Sequence, residues 1–230
     1  MWTVLVFIST LTFAIINWAA VARGWKRIET FAKPATMALL FVTLALAAGF
    51  SNRVLVYFGL GILFSLVGDI LLLISYQRNS NRWFLAGLGA FLLAQGAYIV
   101  GLNIPLGGHS PLLATLIAIL LALASGRLLQ PILAGVRARG LRRMVGPVAV
   151  YGGVIELMLL SALLTFLRPD WKPTACALVS LGAALFFSSD VLLAWNKFVR
   201  PVKNGRLLNM VAYHLGQIAL VAGVIIQYER

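Results

Sequence analysis

Eight long apolar runs occupy most of the sequence, and they limit what the chain can fold into more than any other feature. A helix of about 20 apolar residues crosses a hydrocarbon core of ~30 Å. We therefore predict transmembrane helices at about 2–22, 34–50, 54–75, 83–103, 111–130, 147–167, 174–196 and 207–228. A proline at the first position of a helix costs no hydrogen bond. Four prolines are predicted to begin helices in this way: Pro34, Pro111, Pro147 and Pro173.

Charged residues are too few for a water-soluble protein. They make up 11% of the chain, whereas hydrophobic residues make up 61%. A soluble domain typically carries about 25% charged residues. The predicted fold class is therefore all-α: a polytopic integral membrane protein with a single transmembrane domain over residues 1–230. In a bacterium it would lie in the inner (plasma) membrane.

The basic residues lie mainly in alternate loops. Of the 19 Lys and Arg residues, only four fall at one side of the predicted bundle: Arg53, Arg168, Lys172 and Arg230. Cytoplasmic loops carry the excess of Lys and Arg, so the N-terminus and the C-terminus are both predicted to be non-cytoplasmic. This pattern explains the net charge of +13 without nucleic-acid binding. Basic residues directly after the first run also favour an uncleaved anchor over a signal peptide.

Three acidic residues fall inside apolar runs: Asp69, Glu156 and Asp190. A carboxyl group inside a bilayer is costly and usually functional. Asp69 and Asp190 are each predicted to lie ~9 Å from the cytoplasmic end of helices that run in the same direction. Other polar side chains are predicted at or near this layer: Asn17, Lys33 at the cytoplasmic mouth, Gln95, Tyr98, Tyr213, His214 and Gln217. The sequence therefore predicts a polar cavity in the cytoplasmic half of the membrane.

Several chemistries fit such a cavity. A zinc site is not predicted, because the two histidines, His109 and His214, are far apart in the chain and Cys176 is the one cysteine. A divalent ion held by the three carboxylates is one alternative, and a hydrolase built from Ser65, His214 and Asp69 is another. Paired carboxylates for acid–base catalysis fit best, since two close carboxyl groups in low dielectric do not both ionise. No metal or other cofactor is predicted.

Several short motifs occur in a characteristic order along the chain. Asp69 lies in the run from Leu63 to Leu72, and Asp190 lies in the run from Gly182 to Ala194. The accompanying motifs are Lys33-Pro34, Phe91 with Gln95 and Tyr98, Lys197-Phe198, and Tyr213 with Gln217. As an ordered set they resemble the YhhN family, which includes the lysoplasmalogenases, although Gln95 stands where many members carry His.

The resemblance implies an ether hydrolase that cleaves the vinyl-ether bond of a lysoplasmalogen, a lysophospholipid, within the membrane lipid. The products would be a fatty aldehyde and a glycerophospho-ethanolamine or -choline. Asp69 and Asp190 would be the catalytic pair, and Lys33 would hold the phosphate as a point charge. The other supporting residues would be Asn17, Tyr151, Glu156, Tyr213, His214 and Gln217. A transporter or channel using the aspartates as a cation or proton relay is the alternative, and no protein partner is predicted.

Overall fold

The computed structural model describes residues 1–105, 107–108 and 110–229, and its regular structure within these ranges is helical. His109 and Arg230, which entered the sequence analysis, lie outside the described residues. The helices are α1 (Trp2–Arg23), α2 (Lys26–Ala48), α3 (Arg53–Arg78), α4 (Asn81–Leu102), α5 (Pro111–Ala138), α6 (Val145–Leu164), α7 (Pro173–Ala194) and α8 (Gly205–Tyr228).

Three short segments extend these helices. A 3₁₀ turn, Arg142–Met144, precedes α6, and another, Thr165–Leu167, follows it. A π-helical turn, Trp195–Val199, continues α7. All eight helices are long and apolar enough to cross a membrane. The prediction of an all-α, multi-pass integral membrane protein with eight spans is thus confirmed.

The predicted start of α2 at Pro34 is wrong. The helix begins at Lys26, and Pro34 lies inside it. The start was predicted from the proline, but two charged residues that precede or adjoin it have partners elsewhere in the bundle. Glu29 accepts a hydrogen bond from Arg206 at 2.6 Å, and Lys33 forms an ion pair with Asp69. Paired charges can be buried where unpaired ones cannot, so the helix continues through this segment.

The predicted ends of α5 and α6 also differ from the structure. α5 continues past Pro131 to Ala138, where Gly135 packs against the backbone of Phe198; a Cβ on residue 135 would clash with the Phe198 carbonyl. Pro147 lies within the first turn of α6 and does not begin it. The other two predicted proline starts, Pro111 and Pro173, are the first residues of α5 and α7.

Glycines bring α7 and α8 into close backbone contact. A Cβ added at Gly182 would lie 2.6 Å from the Leu220 nitrogen and 2.7 Å from the Gly216 carbonyl oxygen. Small residues allow membrane helices to approach in this way. The contact fixes the relative positions of Asp190 on α7 and Tyr213 on α8, which both contribute to the candidate site.

The ends of several helices are joined by a buried arginine at one end of the bundle. Arg168 donates hydrogen bonds to the carbonyl oxygens of Leu102 at 2.8 Å and Ile104 at 3.3 Å, and to the Asp170 carboxylate at 2.7 and 3.1 Å. Arginine is suited to this arrangement because its guanidinium presents several donors in a rigid plane. The side chain therefore ties the end of α4 to the α6–α7 loop.

Arg168→Gln is expected to lower the thermal denaturation midpoint of the detergent-solubilised protein by several degrees. Each carbonyl contact from a charged donor is worth about 1.5–3 kcal/mol, and the glutamine is too short to replace both. The exposed Arg53 provides a matched control, since Arg53→Gln removes the same charge without buried contacts. An equal effect of the two substitutions would show that Arg168 contributes charge only.

The same contact has a predictable pH dependence. The hydrogen bonds from Arg168 lower the pKa of Asp170 below its ordinary value of 3.8. A lowered pKa in the folded state contributes stability that is present above the ordinary pKa and is lost as the pH falls through the lowered value. The difference in midpoint between the wild type and Arg168→Gln should therefore narrow below about pH 3.8 and stay constant at neutral pH.

Candidate active site

Asp69 lies in the middle of α3 in a fully buried cluster. Its Oδ1 is 2.9 Å from the Lys33 ammonium, and its Oδ2 accepts a hydrogen bond from the Tyr213 hydroxyl at 2.8 Å. All three side chains are buried. The ammonium identifies Asp69 as a carboxylate, since a buried charge is stable only when it is paired.

The predicted position of Lys33 at the mouth of the bundle is wrong. The residue is only 4% exposed, and its ammonium lies 5.8 Å from the centre of the Tyr213 ring as well as beside Asp69. The early start of α2 explains the difference, because Lys33 is in the second turn of the helix and points into the bundle. Its charge is neutralised within the protein.

Asp190 lies on α7 and has neutral partners. Its Oδ2 accepts hydrogen bonds from the Tyr151 hydroxyl at 2.5 Å and from the Gln95 amide nitrogen at 3.3 Å. Among the described residues no Lys, Arg or His forms a salt bridge with it. Asp190 is nevertheless within electrostatic reach of Asp69 and Lys33. The two predicted catalytic aspartates thus belong to one polar layer but have different partners.

An apolar cleft between α4, α5, α6 and α7 reaches Asp190. Its walls are mainly hydrophobic, and its cavity volume is about 60 Å³. Four polar side chains line it: Ser125, Tyr151, Glu156 and Asp190. Asp69 is not among the residues that line this cleft. The chemistry of the cleft centres on Asp190.

An aromatic cluster surrounds Tyr213, the residue that donates to Asp69. The Phe91 ring lies 5.7 Å from the Tyr213 ring and 6.0 Å from the Phe186 ring, measured between centroids. Phe91 also packs on the bare backbone of Gly68, where a Cβ would lie 2.6 Å from the ring. The hydroxyl of Tyr213 therefore reaches Asp69 from a position fixed by rings on three helices.

The other polar residues of α8 stabilise the helix packing. Gln217 accepts a hydrogen bond from Tyr98 at 2.6 Å and donates one to Ser65 at 3.0 Å. His214 accepts a hydrogen bond from the Trp18 indole at 3.1 Å and has no bond to Ser65. The hypothesis of a Ser65–His214–Asp69 hydrolase is therefore wrong, because its nucleophile and base are not in contact.

Asn17 and Glu156 complete the set of predicted site residues. The Asn17 amide is fully buried, and neither of its polar atoms has a hydrogen-bond partner among the described residues. Glu156 accepts a hydrogen bond from the Ser125 hydroxyl. No group of three His, Cys, Asp or Glu side chains within the described ranges is arranged to hold a metal ion. Asp69, Glu156 and Asp190, the residues of the divalent-ion alternative, are therefore not arranged as a group that could hold a metal.

Two contacting residues were missed by the sequence analysis. Ser125 lies in the apolar run of α5 and contacts Glu156. A hydroxyl inside a membrane helix usually forms a hydrogen bond with its own backbone, so the sequence did not indicate a role for this residue. Trp18 follows Asn17 directly and contacts His214. A buried indole N–H needs a hydrogen-bond acceptor, so a tryptophan beside Asn17 could have been predicted to contact another polar residue.

Comparison with known proteins gives consistent results. The profile described as the YhhN family matches residues 28–224. Human lysoplasmalogenase TMEM86B is 31% identical over 137 residues, which are 60% of this chain and 52% of that protein. Human lysoplasmalogenase TMEM86A is 32% identical over 170 residues, 72% of this chain and 63% of that protein. No solved structure matches the chain significantly.

The matched regions thus span about half to just under two thirds of these human relatives. The family match is broader, and it includes both aspartate runs, Lys33 and the α8 residues whose contacts are described above. The order of the motifs, the eight helices and the extent of this match agree, and the chain belongs to the YhhN family.

Proposed function

We propose that the protein is an intramembrane hydrolase that cleaves the vinyl-ether bond of lysoplasmalogens. The products are a fatty aldehyde and a glycerophospho-ethanolamine or -choline. The observation that carries the proposal is Asp190, a carboxyl group with neutral partners at the wall of an apolar cleft. Membership of a family whose curated relatives are named lysoplasmalogenases supports the choice of substrate.

The first step is proton transfer to carbon. Protonated Asp190 donates its proton to the vinyl carbon that is not bonded to oxygen, and the electron pair of the double bond forms the new C–H bond. This leaves an oxocarbenium ion and the Asp190 carboxylate. The ion is stabilised by the adjacent carboxylate in the low-dielectric cleft. The hydrogen bonds from Tyr151 and Gln95 hold the carboxyl group in position for this transfer.

Water then adds to the carbon that carries the ether oxygen. Asp190 accepts the proton that the water loses, so a neutral hemiacetal forms and the acid is regenerated. Collapse of the hemiacetal breaks the bond to the glycerol oxygen, which takes up a proton, and releases the aldehyde. Glu156, which lines the same cleft, is a second carboxyl group that can orient the water.

Asp69 serves as the charged member of the aspartate pair. Its ion pair with Lys33 places a fixed carboxylate and a fixed ammonium behind Tyr213, within electrostatic reach of Asp190. Asp69 faces an ammonium, whereas Asp190 has neutral hydrogen-bond partners. The proposed assignment is therefore Asp190 as general acid and Asp69 as the charged partner.

Aldehyde release from a panel of lysolipids tests the proposed function. The detergent-purified protein is supplied with 1-alkenyl, 1-acyl and 1-alkyl lysophospholipids of equal chain length, and aldehyde and fatty acid are both measured. The proposal predicts aldehyde from the alkenyl lipid alone, because only a vinyl ether can be protonated at carbon. Release of fatty acid from the acyl lipid without aldehyde from the alkenyl lipid would overturn it.

We also propose that both termini are non-cytoplasmic, as the distribution of basic residues indicates. A periplasmic-type reporter fused after Gln227 is then expected to be active, and a cytoplasmic-type reporter at the same site inactive. Fusion in the loop between Arg78 and Asn81 should give the reverse result and serves as the control. Activity of the cytoplasmic reporter at the C-terminus would contradict the proposed orientation.

A further inference from the structure

A second cleft lies at the end of the bundle formed by the α1–α2, α3–α4 and α7–α8 connections; we call it the basic cleft. Its cations are Lys26, Lys197 and Arg206, and no Asp or Glu of the described residues lines it. Phe84 and Leu193 line both this cleft and the apolar cleft that reaches Asp190. The two clefts therefore adjoin, one polar and cationic and the other hydrophobic.

Lys197 is placed at the junction. It lies on the π-helical turn that continues α7, a type of turn often found at functional sites. Its ammonium is 4.4 Å from the centre of the Phe84 ring and 5.8 Å from that of Phe198, and both rings line the apolar cleft. The aromatic faces hold the charge partly out of solvent at this point.

No carboxylate within the described part of the chain neutralises Lys197. The three salt bridges there involve Lys33, Arg168 and Arg206. Arg139 donates a hydrogen bond to the carbonyl of Phe198, the residue after Lys197, at 3.1 Å and so adds positive charge on this side. Arg206 is paired with Glu29, and Lys197 is the cation of the basic cleft that lies against Phe84, which lines both clefts. A partly desolvated ammonium in this setting favours an anionic ligand.

The spacing along α7 suits an amphiphile. Lys197 follows Asp190 by seven residues, a rise of about 10 Å along a helix. Five bonds join the ether oxygen of a lysophospholipid to its phosphorus, a shorter span, and the long Lys197 side chain can cover the rest of the separation. A lipid with its reactive bond at Asp190 and its hydrocarbon chain in the apolar cleft would thus place its phosphate near the Lys197 ammonium.

We propose that Lys197 binds the phosphate of the lysophospholipid substrate and so determines preference for phosphorylated over phosphate-free lipids. The proposal rests on the proposed function and moves phosphate recognition from the buried Lys33 to the junction of the two clefts. Lys197 acts as a binding residue and takes no part in proton transfer.

Kinetics of Lys197→Gln on two substrates test the assignment. For a 1-alkenyl lysophospholipid the KM should rise about 10- to 100-fold, the usual range for loss of a charged hydrogen bond, while kcat changes little. For the 1-alkenyl glycerol, which lacks phosphate, KM should be unchanged. Lys197→Arg should retain most of the affinity. The exposed Lys203 lines neither cleft, and Lys203→Gln removes the same charge as a matched control.

A binding measurement separates this proposal from the proposed function. A 1-alkyl lysophospholipid cannot be hydrolysed at a vinyl ether, yet it should raise the denaturation midpoint of the wild type and of Lys203→Gln. It should have a much smaller effect on Lys197→Gln, and 1-alkyl glycerol should affect all three equally. This result would support the phosphate site even if no substrate released aldehyde.

Two results would overturn the proposal. One is a folded Lys197→Gln variant, judged by its own melting curve, that keeps the wild-type KM for the phosphorylated substrate. The other is stabilisation of the wild type by inorganic phosphate, lost in Lys197→Gln, without any effect of the alkyl lysophospholipid, because the site would then bind free phosphate and not the lipid.

Discussion

Asp190→Asn is expected to reduce kcat on a vinyl-ether lysophospholipid by at least about a hundredfold, the usual scale for a general acid. Asparagine has nearly the shape of the acid and can still accept a hydrogen bond from Tyr151, so the variant should fold. It cannot donate a proton to carbon at a useful rate. The KM should change little, because the walls of the apolar cleft are unaltered.

Aldehyde release by purified variants measures this effect. Glu229→Gln, a similar change at an exposed acidic residue, should retain full activity and serves as the control. A melting curve shows whether Asp190→Asn is folded. A folded variant with near-normal turnover would exclude Asp190 as the acid.

Asp69→Asn is expected to lose both stability and activity. The substitution leaves the Lys33 ammonium without its partner, and breaking a buried pair costs about 3–5 kcal/mol. The denaturation midpoint should therefore fall clearly more than it does for Asp190→Asn. Turnover should fall by at least about a hundredfold, because the charged member of the aspartate pair is gone.

A second substitution separates the two effects. In Asp69→Asn with Lys33→Met no charge remains unpaired, and replacing a whole buried pair is often nearly neutral for stability. The denaturation midpoint of the double variant should return most of the way to the wild-type value, whereas its turnover should stay low. Recovery of both would show that Asp69 and Lys33 are structural. Asp69→Asn combined with Asp190→Asn should be little less active than either single variant, as for residues that act as one unit.

The number and type of helices could be predicted from the sequence because lipid imposes a simple requirement. Each crossing needs about 20 apolar residues, and the short polar breaks at Asn52 and at Asn79 separate such runs clearly. Asn52 also caps α3, its side chain accepting a hydrogen bond from the Leu55 backbone nitrogen. These features are local in sequence, so the boundaries of α3 and α4 lie close to their predicted positions.

The errors arise where a charge has a distant partner. In the sequence alone, Glu29 and Lys33 look like charged residues of a loop before the apolar run. Their partners, Arg206 and Asp69, come from other helices, and Arg206 is 177 residues away from Glu29. Such pairing is decided by the tertiary fold, so no local pattern could show that α2 begins at Lys26.

The polar layer was predictable, but the roles within it were not. Helix rise places Asp69 and Asp190 at similar depth. The rotation of each helix about its axis decides that Asp190 lines the cleft while Asp69 faces Lys33. Close helix packing at Gly68 and Gly182 sets these rotations. Which helix packs against each glycine is decided by the tertiary fold, so the rotations could not be predicted from the sequence.

The central claim is that Asp190 protonates a vinyl-ether carbon, and labelling in D₂O tests it most directly. The purified protein hydrolyses a 1-alkenyl lysophospholipid in D₂O, the aldehyde is reduced at once to the alcohol to prevent exchange, and the label is located by mass spectrometry. We predict one deuterium on the carbon next to the former aldehyde carbon for the wild type, and product at background level for Asp190→Asn. Aldehyde without that deuterium, or labelled aldehyde formed at the wild-type rate by Asp190→Asn, would contradict the account.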